Sequence, residues 1–186
     1  MNKIPGLEPR DDYPYRVLPV GVYQCSENEL KAAFVDRFEA SRTRAGIWEG
    51  LLRYRARIAE FGIGVTQWID GSFVEGKPNP SDVDVVSFCD YEAFNRVVGS
   101  IGEGKLEFMG SGEATKSEFW THSFLVLSCS RTHPYHETFE KSRSYWRRWF
   151  GRTRPIVGPI GSPLIGHQKG FIQMPIGVDA PVINSD

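Results

Sequence analysis

The apolar positions of this chain change period along its length, and the changes mark its elements. From Ser26 onward Leu30, Phe34 and Phe38 recur at helical spacing, which predicts a first helix. Ser26 with Glu29 three residues on has the spacing of a capping box. A second helix is expected after Ser41, a candidate cap, where Ile47, Leu51, Tyr54, Ile58 and Phe61 form one stripe. Arg53, Arg55, Arg57 and Glu60 lie mostly off that stripe, and Gly62 suits a left-handed terminator. Val65–Asp70 and Asp82–Phe88 then read as strands, and Phe119–Ser128 as another. Leu106–Met109 is a shorter strand candidate, followed by an expected loop at Gly110–Thr115. Residues 90–98 predict a short helix with Tyr91, Phe94 and Val98 on one side. Residues 136–150 predict a longer one carrying Phe139, Tyr145, Trp146 and Trp149.

Residues 1–25 are rich in proline and turn formers and are expected to run extended over the surface. Residues 151–186 are rich in Gly and Pro and predict little regular structure. With no repeat and no long linker, the pattern predicts one domain over 1–186. The length of 186 residues is enough to bury a real core.

Charge narrows the partners. Lys and Arg number 22 against 23 Asp and Glu, a net charge of −1, so no global field points to nucleic acid or to a membrane. No apolar run approaches the ~20 residues a bilayer span needs, and no basic start leads into an apolar leader. Cys25, Cys89 and Cys129 are odd in number and widely spaced. Free thiols in a reducing cytoplasm are the expectation.

The candidate chemistry lies in Trp68-Ile69-Asp70-Gly71-Ser72-Phe73-Val74, followed by Pro80-Ser81-Asp82-Val83-Asp84-Val85-Val86. An apolar strand runs into a Gly-Ser turn, and a second strand follows. Alternation puts Asp82 and Asp84 on one face. Two adjacent carboxylates repel unless a cation or a proton lies between them. Gly71 permits close backbone approach to a phosphate, and Ser72 adds a hydroxyl donor. Asp82 and Asp84 are hard oxygen ligands of the kind Mg²⁺ takes beside substrate phosphates. The combination points to a divalent cation and a nucleoside triphosphate. The plain alternative is a pair of solvated strand-edge acids beside an ordinary turn. Lys77, in the intervening loop, is a candidate phosphate contact or an exposed loop lysine.

Trp-Ile-Asp-Gly-Ser-Phe-Val with Ser-Asp-Val-Asp-Val-Val resembles the DNA polymerase β-type nucleotidyltransferase superfamily. The nearest likeness is its small bacterial minimal-nucleotidyltransferase branch and related short proteins of unassigned function. The likeness covers residues 45–90, and the Tyr-Trp-Arg-Arg-Trp-Phe-Gly-Arg-Thr-Arg stretch is similar to those short proteins, less specifically. The resemblance implies an α+β fold, a mixed sheet of about four to five strands flanked by helices. It also implies NMP transfer from an NTP to a protein or RNA hydroxyl, with Mg²⁺ or Mn²⁺. By position, Gly71 and Ser72 match the phosphate-holding pair, and Asp82 and Asp84 the metal ligands. Relatives are often paired with toxins or defence modules, which implies a toxin–antitoxin setting and a protein partner.

The superfamily brings a third carboxylate from a later strand, and no Asp lies in 119–128. Glu118, His122 and the more distant Glu107 are the candidates; a neutral imidazole can bind metal or act as base. The missing acid motivates a second reading, a catalytically inactive binding module on the same fold, acting as an antitoxin-like or regulatory partner. Lys141, Arg143, Arg147, Arg148, Arg152 and Arg154 form a basic run interleaved with Tyr145, Trp146, Trp149 and Phe150. It reads either as an amphipathic helix with solvated arginines or as a surface for phosphates, bases or an acidic partner. His133 and His136 lack supporting zinc ligands, and His167 and Lys169 are expected at the surface.

Overall fold

The computed structural model describes residues 4–155 and 166–184. Along them run β1 (Glu8–Arg10), β2 (Tyr13–Val17), β3 (Val22–Gln24), α1 (Glu27–Phe34), α2 (Arg44–Ala59), β4 (Val65–Asp70), β5 (Val83–Asp90), α3 (Tyr91–Ile101), α4 (Glu113–Phe119), β6 (Thr121–Ser128), α5 (His136–Phe150) and β7 (Phe171–Ile176). The fold is α+β. β1 and β2 form a small hairpin, and the other strands form a mixed sheet in the order β3-β7-β4-β5-β6. β4 is antiparallel to β5 and β7, whereas β5 runs parallel to β6 and β3 parallel to β7.

The expected helices α1, α2, α3 and α5 form, although α1 ends at Phe34 and Phe38 falls in a 3₁₀ turn, Asp36–Phe38, beyond it. Ser26 Oγ accepts from the Glu29 amide at 3.3 Å, and the Glu29 carboxylate accepts from the Ser26 amide at 2.8 Å, closing the capping box. On α2, Ile47, Leu51, Tyr54 and Ile58 are fully buried, each contributing roughly 1.5–3 kcal/mol. Ser41 Oγ accepts from the amides of Thr43 and Arg44 at 3.3 and 3.2 Å, so it holds the start of α2 from just outside the helix. Gly62 takes a φ of 64° beyond its end.

Strand alternation divides the core between the two sheet faces. Val65, Ile69, Val83, Val85 and Cys89 pack with the stripes of α1 and α2. Trp68, Val86, Phe88, Val126 and Phe171 pack on the other face, with Phe139, Trp146 and Phe150 of α5. Asp70 follows Trp68 by two residues and Asp84 precedes Val86 by two. Both therefore belong to the α5 face.

Several expectations are corrected. The Gly/Pro-rich tail contains β7, a strand inside the sheet, although it carries Pro175. Pairing of β3 with β7 ends at Gln24 and Gln173, and the Pro175 carbonyl accepts from Arg55 Nη2 at 2.9 Å. The missing N–H thus falls on a side where no strand competes for it. Residues 156–165 of that tail, and residues 1–3 and 185–186, lie outside the described residues. The N-terminal segment is not merely extended surface, since β3 joins the main sheet. Leu106–Met109 is no strand: a 3₁₀ turn spans Glu107–Gly110 and buries Phe108 and Met109. The expected loop at Gly110–Thr115 runs into α4, which ends at Phe119, so β6 begins at Thr121. Among the described residues no helix is long and apolar enough to cross a membrane.

Candidate functional site

Strand register builds the site. Asp70 stands opposite Asp84 across β4 and β5, and Asp84 stands beside His122 across β5 and β6. The three side chains form one row across the sheet, on the α5 face. Between β4 and β5 the chain turns at Gly71 with a φ of 81° and enters a short 3₁₀ turn, Ser72–Val74, that no side chain caps. A Cβ at Gly71 would collide with the Asp84 carboxylate, so glycine there brings the turn directly against the acid.

Each carboxylate of the Asp-x-Asp pair meets a cationic or imidazole partner. Asp82, just ahead of β5 and 5 % exposed, pairs through Oδ2 with Lys116 Nζ of α4 at 2.7 Å and accepts from Ser81 Oγ at 3.0 Å. Asp84 Oδ1 lies 3.1 Å from His122 Nδ1. Burial, then the charge of Asp82, pushes the Asp84 carboxyl above its ordinary value, and His122 opposes the rise. The hydrogen bond to Asp82 raises the Lys116 ammonium. The His122 ring packs on Phe124 with centroids 4.5 Å apart, and Phe124 packs on Trp146 of α5 at 4.2 Å.

The row extends on its other side into buried charge. Lys169 is 2 % exposed; it bonds Asp70 and lies 3.7 Å from Glu75. Glu75 in turn accepts from the Tyr13 hydroxyl at 2.7 Å, which joins the β1–β2 hairpin to the site. Burial pushes the Asp70 carboxyl up to about 7 against the pull of Lys169. Burial, reinforced by Glu75, also raises the Tyr13 phenol.

Arg44 pins the loop after the turn from below. Its guanidinium donates to the carbonyls of Phe34, Phe73 and Glu75 at 2.6 Å and of Lys77 at 2.7 Å. A planar fork of donors is suited to gathering several carbonyls.

Of the residues singled out in the sequence, the structure gathers Gly71, Ser72, Asp82, Asp84 and His122, and holds the loop bearing Lys77 beside them. It does not gather Glu118, which lies on α4 and turns away to Arg57 at 3.0 Å. Glu107 lies exposed in its 3₁₀ turn. Lys169 is not a surface residue. Asp70, Glu75 and Tyr13 carried no sequence signal of their own; for Asp70 the signal was its place two residues after a buried tryptophan, readable only once strand register was known.

The donor set decides what cation suits the site. Asp82 and Asp84 offer hard oxygens beside a glycine turn, which fits a Mg²⁺ that arrives with substrate phosphates. It does not fit a cage built wholly of protein: among the described residues, no group of three or more His, Cys, Asp and Glu side chains is placed to hold a metal.

Comparison with known proteins adds the family. No curated protein and no solved structure matches the chain significantly. One family model matches residues 12–175, a span that takes in β2, the whole Asp70–Asp84–His122 row and most of β7. The chain belongs to that family, DUF6932, a family of unknown function.

Proposed function

We propose that the protein is a small nucleotidyltransferase, transferring NMP from an NTP to a hydroxyl of a protein or RNA. The observation that carries the reading is the contact of the Gly71 turn with Asp84, flanked by Asp82 and His122. In this reading Gly71 and Ser72 hold the β- and γ-phosphates, with Lys77 in the adjoining loop. Asp82 and Asp84 would hold Mg²⁺ or Mn²⁺, whose charge would offset that of the triphosphate.

The acceptor oxygen attacks the α-phosphorus, the bond to the β-phosphate oxygen breaks, and pyrophosphate leaves. His122, with Nδ1 tied to Asp84, offers Nε2 to take the acceptor proton. It stands where the resemblance leads one to look for a third carboxylate. The other contribution is positioning, which suffices for much phosphoryl-transfer catalysis. The three thiols are free, which supports a cytoplasmic setting; the toxin–antitoxin or defence setting rests on resemblance alone.

A second reading, an inactive module on the same fold, is favoured by one observation. Lys116 and the His122 ring already occupy Asp82 and Asp84, as partners built into the protein would in a site that no longer takes metal. The test is incubation of the protein with α-³²P-labelled NTPs, Mg²⁺ or Mn²⁺ and a cell extract. The enzyme reading predicts a labelled macromolecule that disappears with Asp84→Asn. Equal labelling by that variant, or none by the native chain while nucleotide still binds, selects the inactive module.

A further inference from the structure

The last turn of α5 borders an open groove of about 500 Å³ that meets the site above only at Lys169. Its walls include Ser144, Arg147, Arg148, Arg152, Lys169 and Val22, and among the described residues no carboxylate lines it. Among the described residues, Arg147, Arg148 and Arg152 make no ion pair, whereas Lys141 and Arg143 at the start of the same basic run are paired with Glu137 and Glu140. Among the described residues, Arg147 Nη1 is buried and meets no acceptor. A buried guanidinium nitrogen without an acceptor is costly, and turning the Arg147 side chain out to a ligand oxygen in the groove would relieve it.

The helix divides its aromatic residues by face. Phe139, Trp146 and Phe150 pack into the core beneath α5. Tyr145 and Trp149, one helical turn apart and just outside the groove lining, with Tyr145 one turn before Arg148, are 53 % and 61 % exposed. Their rings stack with 6.2 Å between centroids and 14° between planes. Two large aromatic residues held parallel and more than half exposed belong to neither core cluster, so the core does not explain them.

We propose that this groove binds single-stranded nucleic acid. The phosphodiester backbone runs along Arg147, Arg148 and Arg152, and a base stacks on the Tyr145–Trp149 shelf. Arginines alone would suit any phosphate. The aromatic shelf is what selects an unpaired base, because bases in a duplex keep their faces covered. The proposal does not depend on nucleotide transfer.

The test is fluorescence anisotropy with a labelled single-stranded RNA of about 12 nucleotides, its duplex, and inorganic tripolyphosphate as competitor. Arg148 and Trp149 are both exposed, so Arg148→Ala and Trp149→Ala leave the fold intact, which circular dichroism checks. Three phosphate contacts predict that log K falls against log salt with a slope of about −2, and Arg148→Ala lowers its magnitude by about 0.7. Trp149→Ala weakens binding about tenfold or more with the salt slope unchanged. The proposal is overturned by no binding at low salt, by duplex binding as tight as single strand, or by both variants binding like the native chain. Complete displacement of the RNA by tripolyphosphate at equal phosphate concentration also overturns it, leaving an anion site only.

Discussion

Lys169→Met removes the one ammonium in the buried charge cluster and isolates Asp70 and Glu75. The size of the effect depends on pH, and the sign follows from Asp70. Burial raises this carboxyl from 3.8 to about 7, so the folded state holds its proton more tightly than the unfolded chain. Stability from that proton is fully present below about pH 4 and is lost as pH climbs to 7. Above pH 7 the native protein loses no more through this group, because Lys169 stabilises the ionised form. Without Lys169 the folded-state carboxyl moves higher, and the loss continues by up to about 1.4 kcal/mol per pH unit. Breaking a buried ion pair from one side costs about 3–5 kcal/mol once the survivor is charged. For a domain of this size that is a fall in Tm of about 10 °C or more at pH 9, and clearly less at pH 6. Thermal unfolding of the native protein, Lys169→Met and Asp70→Asn/Lys169→Met at both pH values measures it. The double variant should lose most of the pH dependence. A Lys169→Met deficit equal at pH 6 and pH 9, or under 1 kcal/mol at pH 9, would refute the reasoning.

Other perturbations separate turn, loop and carboxylate roles. Gly71→Ala meets both a left-handed backbone and the Asp84 carboxylate; a loss of at least about 1–2 kcal/mol in urea unfolding is expected from the backbone alone, together with loss of nucleotide binding by equilibrium dialysis. Arg44→Met leaves the carbonyl at the end of α1 and three beyond the Gly71 turn without their shared donor and should cost about 2–5 kcal/mol, with Arg44→Lys failing to restore it because an ammonium lacks the fork. Lys116→Ala frees Asp82, and since Lys116 is a third exposed stability should change little; Mn²⁺ affinity in the presence of an NTP analogue, read by electron paramagnetic resonance, should rise severalfold.

The sequence exposes those parts whose pattern is local. The α2 stripe is legible because one helix face meets one core. The β4–turn–β5 unit is legible because an apolar run meets Gly71-Ser72 and then alternates. The α4 helix was hidden: Glu113–Phe119 is short, and its neighbours Leu106–Met109 are equally apolar as strand or turn. β7 was hidden because Pro175 and the surrounding glycines argue against a strand, and only the end of β3 pairing and the donor of Arg55 make proline tolerable there. Lys169 could not be placed at all, since its partner Asp70 lies 99 residues away in the chain. His122, by contrast, was legible by position, and register sets it beside Asp84.

The central claim, that Asp82 and Asp84 face a phosphate-holding turn, is tested most directly by a crystal structure with a non-hydrolysable NTP and Mn²⁺. The account predicts an anomalous manganese peak touching both carboxylates, Lys116 withdrawn from Asp82, and the terminal phosphates against Gly71 and Ser72. Asp82 still bound to Lys116, with no manganese at the pair and the nucleotide absent or elsewhere, would contradict it.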